Sequence, residues 1–254
     1  MLHIRKFFIP ILVVLGITSF INVQSFQLAN FNYKSASVLP TFVDEKGIKW
    51  VDIGREGFGR TKKHTYDDWS GGRSKREHNP LTSAAREFLE EHILERVLGW
   101  SLADTEKFIL ENLEVVVAYS RDKNPCNPQS RDARNVTYIV DFNKYATELF
   151  NNFYEAREQE EARYDELGTR GKYRTTTEKD RIAKVKWNDL KDAIEKYTDT
   201  SQPLYVQALV LDPATKYFYR QEIKLRPFLG IKLRPFFLDQ LYETGENEKV
   251  RFYK

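Results

Sequence analysis

The sequence is poor in the residues that most often carry chemistry on their own. It has one cysteine and four histidines in 254 residues. A single thiol cannot close an internal disulfide, so packing alone must stabilise the chain. That thiol, Cys126, sits in the turn-rich run Asn124-Pro125-Cys126-Asn127-Pro128 and reads as incidental. His3, His64, His78 and His92 form no HExxH pair and join no cysteine cluster, which argues against the common zinc sites. Gly54, Gly57 and Gly59 lack the GxxxxGK[ST] spacing of a P-loop, and no GxSxG elbow marks a nucleophilic serine. An excess of one charge is missing too. The 40 basic residues are nearly matched by 37 acidic ones, and that balance gives no strong nucleic-acid signal.

What is present describes a folded globule. Hydrophobic residues make up 41% and aromatic residues 14% of the chain, enough for a sizeable core in one large domain or two small ones. The first residues differ from the rest. Basic Arg5 and Lys6 precede an apolar run from Phe7 to Ile21, and Val23 and Ser25 give a small-residue cleavage pattern. Residues 1–25 therefore read as a secretory signal peptide, with export to a periplasmic or secreted location. The alternative is an uncleaved membrane anchor. Removing residues 1–25 leaves 38 − 37 = +1, so the basicity belongs largely to that segment.

Residues 26–40 are polar and without clear periodicity, and read as a leader to a domain over 41–200. Ile48–Ile53 is strand-like, Gly57 to Lys63 suggests a hairpin or loop, and His64–Trp69 returns as a second strand. A helix is expected from about Leu81 to Leu98 and another over Leu102–Asn112. Leu113–Tyr119 and Val136–Phe142 read as strands, and Asn143–Leu167 as a long charged helix. Asn135-Val136-Thr137 matches a glycosylation sequon. Ile182–Trp187 leads into a helix over Asn188–Tyr197, with Asn188 as its cap. Leu204–Leu211, the turn Asp212-Pro213-Ala214-Thr215 and Lys216–Leu225 form a hairpin in a strand-rich extension over 201–254. A small duplication, Ile223–Phe228 and Ile231–Phe236, repeats IKLRPF. It reads as an edge strand and its neighbour, with a basic and aromatic mix suited to an acidic partner.

The densest chemistry lies between Gly71 and Leu94. Glu87, Glu90 and Glu91 stand at i, i+3 and i+4, on one face of the expected helix. Like charges at such spacing repel unless a cation joins them, and clustered hard oxygen ligands suit Mg²⁺ or Mn²⁺. The segment resembles the Nudix box: Gly, five residues, Glu, seven residues, then Arg-Glu-apolar-x-Glu-Glu-x-Gly-apolar. Aligned on Arg86, the box glycine falls on Gly72 beside Gly71, the Arg-Glu pair on Arg86 and Glu87, and the final acids on Glu90 and Glu91. The early glutamate falls on His78, with Glu77 one residue away, so the ion pair that steadies the arginine lacks its usual partner. The late glycine falls on Ile93, which suggests a helix running on toward Gly99.

The resemblance implies a mixed β-sheet flanked by helices (α/β, or α+β), here with a C-terminal β-hairpin extension. It implies metal-dependent hydrolysis of a nucleoside diphosphate linked to another group. Glu87, Glu90 and Glu91 would share the Mg²⁺ or Mn²⁺, Arg86 would orient the carboxylates, and Gly71 and Gly72 would let the loop fold against the helix. A strand delivering a tryptophan and then a short helix resembles the C-terminal part of many Nudix domains. An acid before that tryptophan can assist the metal or activate water, which points to Glu178 or Asp180; Glu90 is the alternative base. The competing reading is a catalytically degenerate binding or structural module on the same fold.

Overall fold

The computed structural model describes residues 32–57, 64–119, 132–168, 178–197, 202–244 and 250–253. The apolar N-terminal run, Cys126 and residues 58–63 and 169–177 lie outside the described residues. Among those described, the strands are β1 (Asn32–Val43), β2 (Lys49–Glu56), β3 (Tyr66–Asp67), β4 (Trp69–Gly72), β5 (Leu113–Tyr119), β6 (Asp132–Asp141), β7 (Lys179–Lys186), β8 (Leu204–Leu211), β9 (Phe218–Leu225), β10 (Leu241–Thr244) and β11 (Val250–Tyr253). The helices are α1 (Pro80–Glu91), α2 (Leu94–Leu98), α3 (Leu102–Glu111), α4 (Ala146–Glu166), α5 (Trp187–Glu195) and α6 (Pro227–Phe237). The strands join one mixed sheet in the order β10-β11-β5-β6-β1-β2-β3-β9-β8-β7; β4 pairs with β1, and β2 also pairs with β7. This is the expected mixed sheet flanked by helices. The β8–β9 hairpin is built into the sheet, with Leu204 opposite Leu225.

Alternation along the central strands shows why both faces are covered. Val38, Val116, Ala118, Tyr138 and Val140 point into a core shared with α1 to α4. Their neighbours Leu39, Val117 and Ile139 point into a second core shared with α5 and α6. A strand buried on both faces must be apolar or have its polar groups paired. β1 takes the second course. Ser37 Oγ bonds Thr137 Oγ1 at 2.8 Å, and Thr41 Oγ1 donates to Glu114 at 2.8 Å. From Asn32 on, the polar stretch read as a leader is therefore a strand in the middle of the sheet, parallel to β6 and antiparallel to β2 and β4. The same packing disposes of the sequon: Asn135 is fully buried in β6 and donates to Ser35 Oγ.

Other expectations are corrected locally. The helix expected over Leu81–Leu98 breaks in two, because His92 caps α1 and Ile93 takes a left-handed backbone (φ 56, ψ 39) before α2 starts. That conformation costs a β-branched residue about 1–2 kcal/mol, and the aligned pattern has glycine there. Ile93 is nevertheless buried in the helical core, and truncating a buried isoleucine costs about 2–5 kcal/mol. Packing outweighs strain. Ile93→Gly should therefore lower stability by about 1–3 kcal/mol in denaturant unfolding, and a gain would show that strain dominates.

α5 starts at Trp187 with Lys186 as its cap residue, so Asn188 does not cap it. The duplicated IKLRPF splits between structures: the first copy ends β9 and opens α6 with Pro227 in its first turn, whereas the second lies inside α6. Two of its basic residues meet acidic partners within the chain. Arg226 donates to Asp67 at 2.6 Å, and the buried Lys232 donates to Asp68. Among the described residues no helix is long and apolar enough to cross a membrane.

Candidate active site: an arginine clamp beside a buried acidic cluster

Asn79 accepts the Leu81 N–H and Pro80 occupies the first turn, so α1 begins where an Asn-Pro pair favours a helix start. This fixes the loop from Gly71 to His78 against the helix. Glu77 folds back under it and accepts from Arg86 Nε at 2.6 Å, Ser83 Oγ at 2.6 Å and the Ser74 N–H at 2.8 Å. Burial pushes the Glu77 carboxyl up, but these donors outweigh it and hold the group at about 2. His78, on which the box glutamate aligns, is exposed. The arginine thus has its partner after all, one residue early, because the loop has the slack to deliver it.

The rest of the Arg86 guanidinium is also engaged. It reaches Glu87 Oε1 at 2.7 Å, Glu90 Oε2 at 3.1 Å and the Gly72 carbonyl at 3.2 Å. A planar fork with several donors is suited to holding carboxylates at fixed angles. The strict need for glycine lies at Gly71. A Cβ there would stand 1.8 Å from the Glu87 carboxyl carbon, whereas a Cβ at Gly72 would meet open space. Gly72 contributes its carbonyl.

The three box acids do not share one centre. Glu90 stays with Arg86, and its carboxyl is pushed up by burial against the pull of that guanidinium and further by Glu77. Glu91 turns toward the sheet, is fully buried, and lies 4.0 Å from the Lys179 ammonium. Its Oε2 has no hydrogen-bond partner. Glu87 lies between the two groups. Among the described residues no three acidic, imidazole or thiol side chains converge closely enough to enclose an ion. What converges is a pair, Glu87 and Glu91, one turn apart on α1.

Around that pair the field is strongly negative. Burial pushes Glu91 well above the usual carboxylate range; Lys179 draws it down, and Glu87, Glu56 and Glu178 raise it further. Burial also raises Glu87, with Glu90 and Glu178 adding to it against Arg86. Lys179 is fully buried and donates to Glu56 at 3.0 Å. Burial pulls its ammonium down, but Glu91, Asp67 and Glu56 outweigh that, so it stays charged. The arrangement suits a divalent cation on two observations of this chain. One is the unpartnered buried oxygen of Glu91; the other is the backbone at Gly71, drawn against Glu87 where no side chain fits. The available donors are all oxygens, as Mg²⁺ and Mn²⁺ prefer.

Of the two acids before Trp187, only Glu178 faces this cluster. Its backbone carbonyl accepts the Gly57 N–H at 2.7 Å, and it raises both Glu87 and Glu91. Asp180 is tied to Arg55 by two bonds of 2.7 and 2.6 Å. A β-bulge explains the division. The β2–β7 register runs Arg55 to Arg181 and then Glu56 to Lys179, so Asp180 is the extra residue. Bulges re-aim side chains. This one brings Lys179 onto the α1 face, against Gly54 and Trp69.

Sequence reasoning missed Lys179 and Glu56, and only strand register reveals them. His92, inside the box segment, is structural: its Nε2 meets Asp52 Oδ2 at 2.5 Å, both are buried, and the ring packs on Trp69 and Phe88. Burial pushes Asp52 up and His92 down, each toward its neutral form.

No protein-family model and no curated protein matches the chain. Among solved structures, a Nudix hydrolase from M. smegmatis is 15% identical, with 44% of this chain and 61% of that one covered and a TM-score of 0.29. A MutT/nudix family protein from Enterococcus faecalis is 16% identical, with 43% and 36% covered and a TM-score of 0.29. The aligned part spans less than two thirds of either protein. Overlap on that scale fixes neither fold nor activity, so the site stands on its own geometry.

Proposed function

We propose that the chain is a divalent-metal-dependent hydrolase of a nucleoside diphosphate linked to another group. The observation that carries this reading is the Glu87–Glu91 pair, with an unpartnered buried oxygen on Glu91, set beside carboxylates held in place by Arg86. Glu87 and Glu91 would hold Mg²⁺ or Mn²⁺, which when bound polarises phosphoryl oxygens and lowers the pKa of water. Arg86 fixes Glu87, Glu90 and the Gly72 carbonyl in one rigid array. Glu90, at the outer side of the clamp, holds the guanidinium in register. Gly71 lets the loop approach Glu87. Glu178 faces the pair and is the residue assigned to accept a proton from attacking water.

The test is a turnover panel. Given Mg²⁺ or Mn²⁺ and nucleotide sugars, dinucleoside polyphosphates or ADP-ribose, the chain should release a nucleoside monophosphate, and EDTA should stop it. No product from any member with either ion would remove the enzymatic reading.

One observation favours a second reading, the degenerate module. A buried ammonium already stands in the acidic cluster, and the third box acid is held away from it. On that reading the fold persists through internal ion pairs, and neither ion nor substrate binds.

A further inference from the structure

Lys179 is the group in the site that the proposed chemistry does not use, and its placement is costly. Its side chain is fully buried against Trp69 and Gly54, with its ammonium 3.0 Å from Glu56 and 4.0 Å from Glu91. Burying an ammonium is tolerated only where nearby carboxylates compensate it. Here Glu56 and Glu91 flank one fixed positive charge on which Asp67 also acts, and Glu87 and Glu178 act in turn on Glu91. The β-bulge at Asp180 turns the lysine toward them. One buried carboxylate oxygen in the cluster, Glu91 Oε2, is still without a partner.

We propose that Lys179 is the resident cation of the acidic cluster. Its ammonium fills the inner side of the site, next to Glu56 and Glu91, and leaves room for one divalent ion on the outer side, between Glu91 and Glu87. It is a positioning residue. It holds Glu91 in place before an ion arrives, and as a like charge it weakens the binding of that ion. This rests on the reading of Glu87 and Glu91 as the ion-holding pair.

The charge can be removed with little change of shape in Lys179→Gln, and kept in Lys179→Arg. Mn²⁺ alone is the probe, titrated into the full chain by electron paramagnetic resonance and followed in parallel by thermal unfolding. The wild type should bind one Mn²⁺. Lys179→Gln should bind it at least tenfold more tightly, be less stable than wild type without the ion, and regain that stability when Mn²⁺ is added, as linkage requires. Lys179→Arg should bind Mn²⁺ as the wild type does. A lysine with a merely structural role would give a destabilised Lys179→Gln that Mn²⁺ does not rescue.

Equal Mn²⁺ affinity in wild type and Lys179→Gln overturns the proposal and leaves the hydrolase reading intact. So does a Lys179→Gln chain that fails to fold even with Mn²⁺ present. Binding by Lys179→Gln but not by wild type overturns the proposal that an ion fits beside the ammonium and removes the hydrolase reading with it, because the ammonium then replaces the ion outright. Binding by neither removes both.

Discussion

Glu91→Gln should cut hydrolysis by about 10²–10⁴-fold while leaving the protein at least as stable as the wild type near neutral pH. The two effects have one cause. Glu91 is fully buried, one of its oxygens lacks a partner, and burial pushes its carboxyl well above the usual range. Burial thus disfavours its charged form, and glutamine, neutral and of the same shape, removes that cost.

The sign follows from linkage. A carboxyl whose folded value is raised contributes stability below its unfolded value near 4.5, and that contribution is lost as pH rises through the folded value. Wild-type stability, measured without metal, should thus fall over that window, and Glu91→Gln should fall less. Mn²⁺ binds the carboxylate form, so its binding should strengthen as pH rises. Denaturant unfolding at several pH values, with turnover on the same preparations, checks both halves. A Glu91→Gln chain that turns over like wild type removes Glu91 from the site; one that unfolds removes the claim that its buried charge is costly there.

Arg86→Met should show the opposite pattern, losing stability and ion binding together. The guanidinium joins Glu77, Glu87, Glu90 and the Gly72 carbonyl, and its removal leaves Glu77 buried with only Ser74 and Ser83 as donors. Loss of one partner from a buried pair costs about 3–5 kcal/mol, and from an exposed pair at most about 1. Arg86 is one-quarter exposed and Glu77 less than one-tenth, so about 2–4 kcal/mol is expected.

Divalent affinity should fall about 10–100-fold, as when a residue that orients a metal ligand is lost. Arg86→Lys keeps the charge but not the fork, and should fall between. Acid should reproduce part of the loss. Glu77 is held at about 2, so its contribution is complete above its unfolded value near 4.5 and is lost as pH falls toward 2. Thermal unfolding and Mn²⁺ titration of both variants decide this. Unchanged stability in Arg86→Met would show that the clamp holds nothing.

Much of this site could be read in the sequence, and the rest was hidden for specific reasons. The Asn79-Pro80 start of α1, the spacing of Glu87 and Glu91, and the strands β5, β6, β8 and β9 all follow from local pattern. β1 did not, because its Ser37 and Thr41 are buried by pairing with β6 and Glu114, and polarity concealed a central strand. The late-glycine position was misread because the left-handed turn is kept there by an isoleucine whose burial outweighs its strain. IKLRPF adopts two structures in one chain, so no local rule could place both copies. Lys179 was overlooked because simple alternation from Ala183 and Val185 aims it at the opposite face, and one bulge reverses it. The three acids expected to share an ion lie with different partners for a related reason. A helix face sets direction, but the partners on neighbouring elements, Arg86 with Glu77 and Lys179 with Glu56, decide where each carboxylate settles.

The most direct test is to locate the ion. Crystals grown with Mn²⁺ should show one anomalous-scattering peak in contact with both Glu87 and Glu91, with Lys179 still bonded to Glu56 behind it. No peak at that position under saturating Mn²⁺, with Glu87 remaining on Arg86 and Glu91 beside Lys179, would contradict the account and leave a fold held by its own ion pairs.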